Sequence, residues 1–134
     1  MQLTNIARDV VEDKRKGRKY IDENFESIKN TLKTADTFYE SSFSSINDIP
    51  TSSRFAILVA RRIYRQIGNN ILKKGNIENY NKSGKIYVSN LEKFFQTILS
   101  FFDFFKLLIV TPKEDNEKVE HKIIKEEINL SERI

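Results

Sequence analysis

The sequence predicts an all-α helical bundle, and three observations carry that reading. Apolar residues recur at steps of three and four along four stretches, no alternating run is long enough to argue for a sheet, and residues that end helices, Gly17, Pro50 and Gly75, separate the stretches. The first helix is expected from Leu3 to Lys16, with Leu3, Ile6, Val10 and Val11 on its apolar side. The second spans Asn24 to Ile46, where Phe25, Ile28, Leu32, Ala35, Tyr39, Ser42 and Ile46 form one seam. The third is expected from Arg54 to Lys74, capped by hydroxyls of Thr51, Ser52 and Ser53. Its stretch Phe55 to Ala60 is apolar nearly all round, which predicts burial between neighbours, and Gly68 inside it predicts a close helix contact or room for a ligand. An irregular link over 76–87 leads to a fourth helix, opened by the capping-box pair Ser89 and Glu92 and ended at Thr111-Pro112.

The chain is one ordinary domain in size, 134 residues with 39% hydrophobic and 31% charged side chains, within the soluble globular range. Residues 1–112 are expected to form the domain and 113–134 a charged tail, since Lys113 to Arg133 hold five basic and seven acidic side chains. Without cysteine, disulfides and thiolate metal sites are excluded, and a cytoplasmic location is the default expectation. The fourth helix, "FFQTILSFFDFFKLLIV", falls short of the about 20 apolar residues of a membrane span and contains Asp103 and Lys106. It reads as a buried or interfacial helix; a peripheral contact at the inner face of the membrane is one expectation, and packing of its apolar side on a further half of the bundle is the other.

The chemistry-bearing stretch is "NIARDVVEDKRKGRKY", residues 5–20. Asn5, Asp9 and Asp13 stand four apart and share one stripe, away from the apolar side. Like charges at that spacing cost about 0.2–0.5 kcal/mol, so folding alone does not select them. One reading is a solvated face with Arg8–Glu12 and Glu12–Lys16 pairs. The other is a partial shell for Mg²⁺, which takes one or two carboxylates and completes its octahedron with water and phosphate oxygens. The basic run Lys14, Arg15, Lys16, Arg18 and Lys19 would then meet the same phosphates.

These residues also carry a resemblance. "QLTNIARDVVEDKRKGRKY" resembles the second aspartate-rich motif of the squalene and phytoene synthase family, Q-L-x-N-I-x-R-D-x-x-E-D followed by a G-R-x-Y turn, at Gln2, Asn5, Arg8, Asp9, Glu12, Asp13, Gly17, Arg18 and Tyr20. "ADTFYESSFSSINDIP" and "AILVARRIYRQIGNNI" are similar to the bacterial phytoene synthase pattern, and "NYNKSGKIYVSNLEKF" more loosely resembles the closing Y-x-x-x-R-x-x-V-S-x-x-K-L segment. The resemblance covers most of residues 1–95 and departs from the family pattern soon after the G-R-x-Y turn, where a proline is usual and Ile21-Asp22 stand.

The resemblance implies the C-terminal part of an isoprenoid synthase fold and head-to-head condensation of two geranylgeranyl diphosphates to phytoene, with Mg²⁺ or Mn²⁺. By motif position it assigns Asn5, Asp9 and Asp13 to metal, with Asp9 and Asp13 catalytic, and Gln2, Arg8, Arg18 and Tyr20 to the diphosphate; Tyr64 and Gly68 are candidates for the apolar pocket. His121 is expected to play no part. The family's first aspartate-rich motif has no counterpart here, because Asp22-Glu23-Glu26, Glu114-Glu117 and Glu126-Glu127 lie in turns or the tail. The chain alone is therefore expected to be inactive and to need an N-terminal half in cis or trans. A squalene or dehydrosqualene synthase-type product is the alternative within the family. Outside it stand a helical scaffold and a basic nucleic-acid-binding module, the last opposed by the acidic stripe beside the basic run.

Overall fold

The computed structural model describes residues 1–109. They form an all-α bundle of helices α1 (Gln2–Arg8), α2 (Val10–Arg15), α3 (Phe25–Ser41), α4 (Thr51–Leu72), α5 (Ile77–Lys82) and α6 (Asn90–Ile109), with a 3-10 segment at Ser44–Asp48. The predicted tail, the Thr111-Pro112 stop, His121 and the two downstream acidic pairs lie outside the described residues. α4 is the central element, packing on α6, α1 and α3, while α1 also packs along α3.

The core has two parts. Ala7, Val10, Ile28, Leu32, Ile67, Ile71, Tyr80, Ile86 and Val88 form the larger, where α1 and α2 meet α3, α4 and α5. Ile46, Leu58 and Leu107 form the smaller, at the other end of α4. The α3 seam holds as expected through Ile28, Leu32, Ala35 and Tyr39, all buried. Gly68 sits in α4 where an added Cβ would lie 3.3 Å from Leu32 Cδ2, so the glycine serves close approach of α3 to α4.

Several sequence expectations are corrected. The first helix is broken at Asp9, whose φ of −103° and ψ of 13° end α1 and start α2. The cause is a side chain inserted into the ladder: the Tyr80 hydroxyl lies 3.0 Å from the carbonyl oxygen of Ala7 and 2.7 Å from that of Arg8. Burial pushes the Tyr80 phenol up to about 12, so it remains a donor across the physiological range. The buried face of α1 is Thr4 and Ala7 rather than Leu3 and Ile6, because the Thr4 and Tyr39 hydroxyls pair at 2.9 Å inside the bundle.

The second helix stops at Ser41, five residues early, where the Ser41 and Ser42 hydroxyls bond back to the Phe38 carbonyl and compete with the helix ladder. α4 begins at Thr51, and no side chain caps it, so the Thr51-Ser52-Ser53 hydroxyls do not play the expected role. Within Phe55 to Ala60 only Leu58 is fully buried among the described residues, so that stretch is half-covered rather than enclosed. The link over 76–87 contains α5, capped by Asn76, whose side chain accepts from the Asn79 amide. At α6 the capping box forms as predicted: Glu92 accepts from the Ser89 amide at 2.8 Å and Ser89 accepts from the Glu92 amide at 3.2 Å.

Tyr80→Phe removes the wedge while keeping the ring. It is expected to cost about 1 kcal/mol in denaturant unfolding and to raise hydrogen-exchange protection at the Val11 and Glu12 amides, as α1 and α2 fuse.

Candidate functional site

Backbone bonds from the Asp9 amide to the Asn5 carbonyl at 2.9 Å and from the Asp13 amide to the Asp9 carbonyl at 2.8 Å keep the four-residue spacing across the break. Asn5, Asp9 and Asp13 therefore stay one turn apart, each partly buried. Arg8 donates to Asp9 as a fork, Nε to Oδ1 and Nη2 to Oδ2, both at 2.8 Å. Lys85 approaches from the loop after α5, its Nζ 3.4 Å from Asp9 Oδ1 and 2.7 Å from Glu12 Oε2. Glu12 also accepts from Lys16, as expected, but Arg8 turns to Asp9 and not to Glu12.

These contacts set the charge state. The hydrogen bond from Arg8 holds the Asp9 carboxyl below the usual carboxylate range, with Lys85 adding to it. Hydrogen bonds from Lys16 and Lys85 hold Glu12 at about 2. Because the folded-state pKa of Asp9 is below its unfolded value, the stabilisation is fully present above about pH 4 and is lost as pH falls through the folded pKa. Asp9→Asn is accordingly expected to flatten the acid limb of the stability–pH curve, measured by urea unfolding between pH 6 and pH 2.

Asn5 Oδ1 is buried and has no hydrogen-bond partner among the described residues. A buried acceptor left bare costs about 1–3 kcal/mol, so this amide oxygen, one turn from an ionised carboxylate, keeps unused bonding capacity. With Asp9 and Asp13 it makes a set of hard oxygen donors that suits Mg²⁺ or Mn²⁺ as a partial shell. Among the described residues no group of three acidic, histidine or cysteine side chains forms a metal cage, so the remaining ligands would come from substrate, water or another segment.

Asp13 lines a cavity of about 220 Å³ with Arg18, Lys19, Tyr20, Ile6 and Ile21. Gly17, at φ 70°, turns the chain so that the Arg18 amide donates to the Asp13 carbonyl at 2.8 Å, bringing the basic turn back to the acidic helix. Lys14 pairs with Glu23, Lys16 with Glu12 and Lys19 with Asp22, whereas Arg15 and Arg18 make no ion pair with a described residue. Gln2 and Tyr20 are exposed at the edges.

Tyr64 and Gly68 do not share a cavity. Tyr64 is partly buried against the larger core, and Gly68 lines a separate groove of about 950 Å³ between α3, α4 and α6. Lys85 and Tyr80 were not among the site residues drawn from the sequence. The signal for Lys85 is the closing pattern, where it takes the place of the arginine three positions before the valine, here Val88.

The described residues form a helical bundle that sets Asn5, Asp9 and Asp13 one turn apart beside a basic turn. The chain is similar to the 15-cis-phytoene synthase of Enterobacter agglomerans, 32% identical over 96 residues covering 56% of this chain and 32% of that protein. It is 34% identical over 113 residues to a chloroplastic phytoene synthase of an Oncidium hybrid cultivar, covering 69% of this chain and 27% of the relative. It is 36% identical over 92 residues to the 15-cis-phytoene synthase of a Paracoccus strain, covering 55% and 30%. The chain is thus similar to phytoene synthases, and the matched segment spans about a third of the length of these curated relatives. No family model and no solved structure matches it.

Proposed function

We propose that this chain supplies the leaving-group end of a phytoene synthase-like prenyltransferase, acting on geranylgeranyl diphosphate. The observation that carries the reading is the bare, buried Asn5 Oδ1 beside the ionised Asp9. In the first step the allylic carbon–oxygen bond breaks, and its electron pair leaves with the diphosphate. The allylic cation is then captured by the double bond of a second prenyl diphosphate, with loss of a proton to give the cyclopropyl intermediate. A bound Mg²⁺ supplies positive charge to the departing oxygens, and Asn5, Asp9 and Asp13 are the residues that would hold it.

Arg8 and Lys85 keep Asp9 ionised for that task. Arg18, which has no acidic partner among the described residues and lines one cavity with Asp13 and Tyr20, would receive the diphosphate, with Tyr20 and Gln2 beside it. The remaining metal ligands are assigned to a second aspartate-bearing helix, in cis or in trans.

A nucleic-acid-binding role for the basic run is disfavoured by the pairing of Lys14, Lys16 and Lys19 with Glu23, Glu12 and Asp22. The test is prenyl diphosphate turnover by the chain joined to a segment that carries such a helix, with and without Mg²⁺. Phytoene formed only in the presence of the metal supports the reading; a squalene-type product moves it to the other branch, and no metal dependence sinks it.

A further inference from the structure

Of the three stripe residues, Asp9 alone is contested by other side chains. Asn5 Oδ1 has no hydrogen-bond partner and Asp13 makes no ion pair among the described residues. Asp9 meets two cations, and they hold it differently. Arg8 grips both oxygens as a fork from the last turn of α1, its side chain only 15% exposed. A fork of this kind uses one lone pair of each oxygen and leaves the carboxylate further acceptor capacity. Lys85 approaches Oδ1 alone, at 3.4 Å, through a side chain 35% exposed.

The two cations differ also in their freedom to leave. Lys85 stands between α5 and α6, after Gly84 at φ 64°, and the buried Ile86 and Val88 anchor the backbone that follows. The backbone is therefore held, and the ammonium can move on its flexible four-carbon stem. The stem lines a hollow of about 370 Å³, which gives it room to swing. Glu12 Oε2, 2.7 Å from Nζ, is a second acid that retains the ammonium when it withdraws from Asp9.

A divalent cation on Asp9 would share Oδ1 with this ammonium, far inside the about 10 Å over which 0.1 M salt screens charge. Two cations on one oxygen repel, and the singly bound, half-exposed ammonium is the one able to go. We propose that Lys85 is a built-in competitor of the metal: its ammonium and a divalent cation exclude one another at Asp9 Oδ1, so Lys85 sets the metal concentration at which the stripe loads. The competition rests on the proposed assignment of Asn5, Asp9 and Asp13 to a divalent cation. Lys16 is the internal control, since it pairs with the same Glu12 but makes no ion pair with Asp9.

The test is Mn²⁺ binding by the 134-residue chain in about 0.1 M salt, without substrate, read from the loss of the free-ion electron paramagnetic resonance signal. Lys85→Met is expected to tighten binding about tenfold and Lys16→Met by less than about threefold. Asp9→Asn is expected to weaken it in the wild-type and Lys85→Met backgrounds alike, with circular dichroism unchanged throughout. Equal affinity of wild type and Lys85→Met, with Asp9→Asn still weaker, overturns the competition and leaves the metal assignment standing. Equal tightening by Lys16→Met also overturns it, because any neighbouring positive charge would then have the same effect. Mn²⁺ binding that Asp9→Asn leaves unchanged in both backgrounds removes the metal from Asp9, and the competition falls with it.

Discussion

Asp9→Ala is expected to lower Mg²⁺-dependent turnover of geranylgeranyl diphosphate by about 100- to 1000-fold, in the chain joined to a second aspartate-bearing helix, with circular dichroism unchanged. The magnitude is that of losing one electrostatic contact to a developing charge in an enclosed site. Asp9 is the member of the stripe whose ionised form is most firmly set, since Arg8 and Lys85 both approach it. Asp13→Ala is expected to act in the same direction. Asn5→Leu separates function from folding: it removes a bare buried acceptor, so stability is expected to stay level or rise while turnover falls. Unchanged rates in Asp9→Ala and Asp13→Ala would remove the stripe from the site, whatever the product assay shows.

Ile28→Ala is expected to be the most damaging single truncation for the fold. Ile28 has no exposed surface and lies in the larger core cluster. A cavity at such a position costs about 2–5 kcal/mol against a total stability of about 5–15 kcal/mol. Thermal unfolding followed at 222 nm should therefore fall by roughly 10 °C or more. A loss below about 1 kcal/mol would mean that α3 is not seated on α1 and α4 as described. Exposed Phe102 provides the contrast, since its replacement by serine is expected to leave the midpoint nearly unchanged.

How much of this is legible in the amino-acid sequence follows from the range of the interactions involved. The α3 seam and the Ser89–Glu92 capping box are written in residues three and four apart, and both appear as read. The break at Asp9 is not local, because its cause is the hydroxyl of Tyr80. Thr4 and Ala7 replace Leu3 and Ile6 on the buried face because a hydroxyl with a matched partner, Tyr39, can be buried where a pattern of apolar letters sees only a polar residue. In the site, the carboxylates and the basic run were visible as a motif. Lys85 was not singled out, since only folding brings its ammonium to Asp9 and Glu12. The same holds for the cations: sequence shows five in a row, and only the structure separates the three engaged by acids from Arg15 and Arg18.

The tyrosine wedge has a consequence for assembly. Tyr80 meets Ala7 across 73 positions, and Lys85 meets Glu12 across the same separation. Contacts between such distant parts of a chain close slowly, since loop entropy must be overcome first. During synthesis the aspartate helix leaves the ribosome before either residue exists, and until they arrive its carboxylates have only the local cations Arg8 and Lys16, with no hydroxyl to hold the bend. The order of events is thus fixed by position: the opening helices wait, and the loop after α5 completes them.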